Sequence, residues 1–153
     1  LKKKHFIEQV LSGEDRDAIS KAIHGAERQT SGEIKVVVRE HRHLHERRLA
    51  LEKLALKEFH RLRLSKTKDR TGILFFLLLD ERKFHIVADE GIHRKVADGT
   101  WEQVAQSMSS EFRGGKFREG IVRGVEHVGQ ILSEAFPRKA DDKNEISDRV
   151  VVE

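Results

Sequence analysis

Seven consecutive apolar residues, Ile73 to Leu79, form the longest apolar run in the chain. Bounded by Gly72 and by Asp80-Glu81, a run of that length reads as a strand buried on both faces, since a helix would need more residues. Phe84, Ile86 and Ala88 then alternate with His85, Val87 and Asp89, the period of a strand with one covered and one more polar face. The charged turn Asp80-Glu81-Arg82-Lys83 is short enough for a hairpin, so this second strand is expected to run antiparallel to the first.

The rest of the chain packs around that hairpin. Phe6, Ile7, Val10 and Leu11 share one face of a short helix behind Lys2-Lys3-Lys4. Ser12-Gly-Glu-Asp15 has the form of a capping box, and Ile19, Ala22, Ile23 and Ala26 repeat at helical spacing. That helix is expected to close near Thr30-Ser31-Gly32, with Gly32 as a left-handed C-cap. Glu33 to Val38 reads as a strand with Ile34, Val36 and Val38 on one face. A helix over about 44–64, striped by Leu51, Leu54, Ala55, Phe59 and Leu62, links it to the apolar run. Strand, helix and strand make a βαβ unit, which places the two strands parallel with a right-handed crossover. Two further helices are expected, over about 100–112 and 117–136, separated by Gly114-Gly115 and stopped by Pro137. The expected fold is therefore α/β, a small mixed sheet sandwiched by helices. Its parts are a basic amphipathic arm over 1–11, one α/β domain over 12–137 and a mobile charged tail over 138–153, with Val150 to Val152 able to add an edge strand.

Composition narrows the chemistry. The 153 residues include no cysteine, which removes thiolate nucleophiles, thiolate metal sites and disulfides together. Thirty basic residues face 26 acidic ones for a net charge of +4, too balanced to imply a nucleic-acid partner. Scattered Arg and Lys with few aromatics also argue against a stacking surface for single strands, so no nucleic acid is expected. No apolar run approaches the roughly 20 residues of a membrane span and no secretory core follows the basic start, and the reading is of a soluble, cytoplasmic protein.

Three stretches resemble the TPM domain family, the thylakoid-lumen phosphatase-like domains that include many bacterial proteins. They are Glu27-Arg-Gln-Thr-Ser-Gly-Glu33, then Thr67-Lys-Asp-Arg-Thr-Gly-Ile-Leu74 with its strand, Glu81-Arg82 and Ile86-Val-Ala-Asp-Glu-Gly-Ile92, and finally Phe112-Arg-Gly-Gly-Lys-Phe117 with Gly120-Ile-Val. The resemblance spans residues 12–137 and is similar to the short, soluble bacterial form, without a leader or a C-terminal anchor. It implies an α/β sandwich. Plant members are associated with acid phosphatase activity, and some members bind divalent cations.

Topology indicates where chemistry sits. If the first and central strands are parallel, Glu33 and Gly72 begin at one end of the sheet, and the antiparallel strand returns there at Asp89. Thr30, Ser31, Glu33, Asp69, Arg70, Thr71, Asp89 and Glu90 then converge. The carboxylates of Glu33, Asp69, Asp89 and Glu90, with the hydroxyls of Thr30 and Thr71, are oxygen donors of the kind Ca²⁺ or Mg²⁺ prefers, and Gly91 allows a close backbone turn. The competing reading is an ion-paired rim of Glu33, Arg70 and Asp89. His41, His43 and His45 alternate; in an extended loop all three face one way, on a helix His41 and His45 are neighbours, and such imidazoles suit Zn²⁺ or Cu²⁺. No spaced carboxylate completes that group by sequence alone. Gly114-Gly115-Lys116 lacks the other residues of a phosphate loop.

The expected function is a cation-binding module acting through a protein partner. The alternative is a metal-dependent acid phosphatase on phosphomonoesters at the same cluster, although no nucleophile is identifiable and Arg70 is the one candidate to stabilise a leaving oxygen. A third reading docks Lys2 to Lys4 and the Phe6/Ile7/Val10 face on a membrane surface.

Overall fold

The computed structural model describes residues 7–140 and 145–153. Lys2 to Lys4 and Phe6 of the expected arm lie outside the described residues, but residues 7–10 are helical (α1), and Ile7 and Leu11 are buried in the core. Next, α2 (Gly13–Glu27) opens on the expected capping box. The Ser12 hydroxyl accepts the Asp15 N–H at 3.1 Å, and the Asp15 carboxylate accepts the Ser12 N–H at 2.9 Å. The helix closes at Glu27 with Arg28 as its cap, earlier than expected. Gly32 is not a left-handed cap but a point of close approach, where a Cβ would lie 2.9 Å from a Leu132 methyl.

The sheet consists of β1 (Glu33–Arg39), β2 (Gly72–Leu78), β3 (Lys83–Ala88) and β4 (Val151–Val152) in the order β3-β2-β1-β4. β1 and β2 are parallel with Glu33 opposite Gly72, and β3 returns antiparallel with Ala88 opposite Ile73. The valine run at the end does form an edge strand, pairing parallel to Val37 and Val38. The connection from β1 to β2 is shorter in helix than its stripe suggested: a 3₁₀ turn (Leu44–Glu46), α3 (Leu51–Arg61) and a second 3₁₀ turn (Leu64–Lys66). After β3 come α4 (Glu90–His93), α5 (Thr100–Arg113) and α6 (Phe117–Ala135).

Two cores result. Ile34, Val36 and Val38 of β1 with Ile73, Phe75 and Leu77 of β2 pack against α2, α5 and α6. Val37, Leu74, Phe76 and Leu78 pack against α3 on the other face. Small residues set the spacing of α2, α5 and α6 on the first face: a Cβ on Gly129 would lie 2.6 Å from Ala26, and one on Gly124 would lie 2.6 Å from the Met108 sulfur. Every residue of β1 is buried, including Glu33, Lys35 and Arg39 on the α3 side. Alternation predicts a polar, wetted second face. Instead residues 145–149 bond to Glu33 and Lys35 on that face before β4 joins the edge of β1, so the charged side chains there have to find internal partners.

Candidate functional site

The first group of charges lies where β1 and β2 begin. The Glu33 N–H donates to the Thr71 carbonyl, and the Asp89 N–H to the Gly72 carbonyl, each at 3.0 Å. Gly91 presses on the same loop so closely that a Cβ would lie 2.5 Å from both the Asp69 and Arg70 carbonyl oxygens. The three loops therefore meet, but the predicted donors face different ways. Asp89 is 6% exposed. Its carboxylate accepts both the Nε (2.8 Å) and Nη2 (2.9 Å) protons of Arg70 and also caps α4 through the Glu90 N–H at 2.8 Å. Arg70 holds this fork from a left-handed backbone, φ 56°, with its side chain 48% exposed. The hydrogen bond and charge of Asp89 raise its pKa further above the usual guanidinium range. Glu90 lies 3.8 Å from Arg70 and 4.0 Å from Arg94, and Asp69 lies 3.9 Å from Lys139. Ser31, Asp69, Gly91, Arg94, Lys95 and Lys139 help to line an open cavity of about 280 Å³ there.

Thr30, Thr71 and Glu33 point elsewhere. The Thr30 hydroxyl donates to the Phe136 carbonyl and accepts the Gly32 N–H, tying the end of α6 to the entry of β1. Thr71 lies 3.5 Å from the Ser31 carbonyl. Glu33, 2% exposed, faces the α3 side of the sheet, where it accepts the Glu145 N–H at 2.6 Å. Its other oxygen has no hydrogen-bond partner among the described residues. Nearby Glu27 accepts the Ile34 N–H at 2.7 Å. Burial first, then a hydrogen bond with Asp148 and the charge of Glu33, push the Glu27 carboxyl up to about 11, so it is protonated at neutral pH. Burial likewise raises Glu33 and lowers Lys35, whose ammonium donates to the Ser147 (2.9 Å) and Arg149 (2.7 Å) carbonyls. Sequence reasoning missed Glu27, Lys35 and the covering segment, because nothing local ties residues 145–149 to a strand more than a hundred positions earlier.

A second group lies at the opposite end of β1. Arg39, 2% exposed, donates to Glu46 (2.5 Å) and Glu58 (2.8 Å), lies 3.4 Å from Glu153 and stacks over the Phe76 ring at 5.5 Å. Burial opposes its charge, but the two carboxylates outweigh that and hold its pKa above the usual range. For Glu46 burial is likewise outweighed, by Arg39 and the His43 N–H, and its carboxyl is held below the usual range. Glu46 closes the 3₁₀ turn that contains His45 and that His43 caps. His43, His45 and Glu46 each offer one ligand atom, all within 4.8 Å of one another, the one such group of three acidic or imidazole side chains among the described residues, and it can hold a metal ion. The carboxylate that the histidine spacing lacked is thus the adjacent residue, brought round by a turn with no periodic signature. A larger cavity of about 540 Å³, lined by Phe84, Phe112 and Phe117 with Leu77 to Leu79, takes none of its lining from either charged group. Among the described residues no helix is long and apolar enough to cross a membrane.

Against known proteins, the family model of the TPM domain matches residues 7–131. Among solved structures, the chain is similar to the BA42 protein of the psychrophilic bacterium Bizionia argentinensis, with 31% identity, 94% of this chain and 95% of that one covered, and a TM-score of 0.85. It is also similar to the N-terminal domain of a P. gingivalis protein, at 25% identity, coverage of 83% and 79%, and a TM-score of 0.67. The N-terminal domain of the cg2496 protein of Corynebacterium glutamicum, at 14% identity, coverage of 84% and 78%, and a TM-score of 0.62, shares the fold. No curated protein matches.

Proposed function

The chain belongs to the TPM domain family, and from that premise we propose that it binds a divalent cation of the Ca²⁺ or Mg²⁺ class where β1 and β2 begin and acts through a protein partner. The observation that carries this reading is Asp89, a nearly buried carboxylate whose two oxygens are turned outward onto one half-exposed guanidinium. Arg70 stands where a cation would stand, and its exposure lets it leave without opening the core. Asp69 lines the adjoining cavity, and Asp89 and Glu90 both face Arg70. Their carboxylates are hard oxygen donors of the kind such an ion prefers, and since the three do not lie within 4.8 Å of one another an arriving ion would have to draw the loops together. Thr30 and Glu33 do not join them: the Thr30 hydroxyl is taken up by the end of α6, and the Glu33 carboxylate faces the α3 side of the sheet, where it accepts the Glu145 N–H. A bound ion would supply charge to order these loops for a partner.

The same cavity favours a second reading, as a metal-dependent phosphatase. Arg94, Lys95 and Lys139 on its wall suit the charge of a phosphomonoester, and the cation would polarise a phosphoryl oxygen.

The test is a ¹H–¹⁵N titration of the metal-stripped chain with Ca²⁺ and then Mg²⁺. Saturable shifts confined to residues 69–71 and 89–91, lost in Asp89→Asn, are expected. The asparagine still caps α4, so the fold survives. Shifts elsewhere, or none that saturate, overturn the cation reading. Turnover of p-nitrophenyl phosphate that needs Mg²⁺ and falls in the same variant would move the reading to the phosphatase.

A further inference from the structure

We propose that His43, His45 and Glu46 form a separate binding site for a borderline divalent cation of the Zn²⁺ class, independent of the oxygen cluster at the other end of the sheet. Two imidazole nitrogens and one carboxylate oxygen within 4.8 Å of one another make a three-ligand set from a single turn. Nitrogen donors favour Zn²⁺ and its transition-metal neighbours over Ca²⁺ or Mg²⁺, and three protein ligands leave room for water.

What separates this group from histidines on a solvated loop is that its carboxylate is fixed in advance. Glu46 is only 3% exposed. Its Oε1 accepts from Arg39 at 2.5 Å and from the His43 N–H at 2.9 Å and lies 3.5 Å from the His43 ring nitrogen Nδ1, whereas Oε2 makes a long 3.5 Å contact with Arg39 and is the less committed oxygen. Arg39 is held in turn by Glu58 and Glu153, so the carboxylate has the kind of outer partner that orients metal ligands. The backbone of the turn is clamped as well. Arg42 donates to the Glu46 (3.1 Å) and Leu49 (2.5 Å) carbonyls while its own charge is matched by Glu81 at 2.6 Å. Only the two imidazoles, both exposed and 5.8 Å apart between ring centres, have to settle when the ion arrives.

The charge balance also favours a cation. Three carboxylates, Glu46, Glu58 and Glu153, face two guanidiniums, Arg39 and Arg61, and Glu40 at the strand end has a buried oxygen with no hydrogen-bond partner among the described residues. His41 lines a neighbouring cavity of about 420 Å³ with Arg39, Glu40 and His43 but lies outside the three-ligand group. That difference supplies an internal control.

Calorimetric titration of the metal-stripped full chain with ZnCl₂ tests the site, alongside His43→Gln, His45→Gln and His41→Gln. Saturable one-site binding is expected, weakened at least about tenfold in the first two variants and unchanged in His41→Gln. The urea midpoints of all three should match wild type, because none of the imidazoles holds the core. Equal weakening by all three variants, retention of binding in His45→Gln, or binding that does not saturate overturns the proposal. Asp89→Asn and excess Ca²⁺ should leave Zn²⁺ binding unchanged, so failure at either end of the sheet is read separately.

Discussion

The two ends of the β1/β2 pair hold ionic groups in opposite ways. Where the strands begin, the carboxylate of Asp89 is buried and its cation, Arg70, sits half in water. Where β1 ends, the cation Arg39 is buried and its carboxylates arrive from the 3₁₀ turn, from α3 and from the edge of β4. A buried guanidinium with several partners joins elements and cannot leave. An exposed guanidinium on a single buried carboxylate can be exchanged for another cation at little cost to the fold. One end is thus built for rigidity and the other for replacement.

Arg39→Ala gives the largest expected effect. It leaves Glu46 and Glu58 buried without their shared partner, a loss of about 3–5 kcal/mol, to be read as a lower urea midpoint. It should also abolish the Zn²⁺ binding argued above. A loss below about 1 kcal/mol would mean that water reaches those carboxylates, and the contrast between the two ends would fail.

Gly91→Ala probes the other end through its backbone. The new methyl would lie 2.5 Å from the Asp69 and Arg70 carbonyl oxygens, and forcing the loops apart is expected to cost about 1–3 kcal/mol. Gly25→Ala is the matched control. It lies within α2 with nothing within 4 Å of the added carbon, and should stabilise by about 0.5–1 kcal/mol. Two equal outcomes in thermal unfolding would show that the Gly91 contact is not what holds the loops together.

At the end where β1 begins, the buried carboxyls of Glu27 and Glu33 make stability depend on pH. The unfolded chain releases the Glu27 proton near 4.5, whereas the folded chain keeps it up to about 11. The folded state thus binds more protons across that window, and the contribution of Glu27 falls as pH rises, by on the order of 1 kcal/mol per pH unit. Glu27→Gln resembles the protonated acid, accepting from Ile34 and donating toward Asp148. It should match wild type near pH 5 and become progressively more stable than wild type from pH 6 to 9. Parallel urea-midpoint curves for the two proteins would show that Glu27 is ionised in the fold.

How much of this was legible in the sequence depends on the distance over which each feature is encoded. The apolar run from Ile73 to Leu79, its charged turn and the alternation after it define β2, β3 and their antiparallel pairing, because the period of a strand is written in adjacent residues. The parallel register of Glu33 with Gly72 followed from the intervening helix. The same stripe overstated that helix: residues 44–50 are instead drawn into a turn by Arg42 and Glu46, and side-chain clamps leave no periodic trace. Topology brought the loops of Thr30, Asp69 and Asp89 to one end, but it could not say which way each oxygen points. Glu33 is the clearest instance. Its position at the strand start was readable, whereas its orientation is set by a backbone N–H from Glu145, 112 residues later.

Arg70→Ala should give the smallest change in stability and the most informative change in binding. The side chain is half exposed and its partner keeps the hydrogen bond from the Glu90 N–H, so the unfolding midpoint should stay close to wild type. Removing it also relieves a non-glycine residue other than Asn or Asp of nothing, since the left-handed backbone at this position persists with alanine. What changes is the occupancy of Asp89: both of its oxygens lose the guanidinium that faced them. If Arg70 stands in for a cation, Ca²⁺ should bind severalfold more tightly to Arg70→Ala than to wild type in the same ¹⁵N titration, with the shifts still centred on residues 69–71 and 89–91. If Arg70 is instead the permanent partner of Asp89, the variant should bind Ca²⁺ no better and lose order in those loops. The first result makes this end of the sheet an exchangeable site, and the second makes it a smaller copy of the fixed network around Arg39.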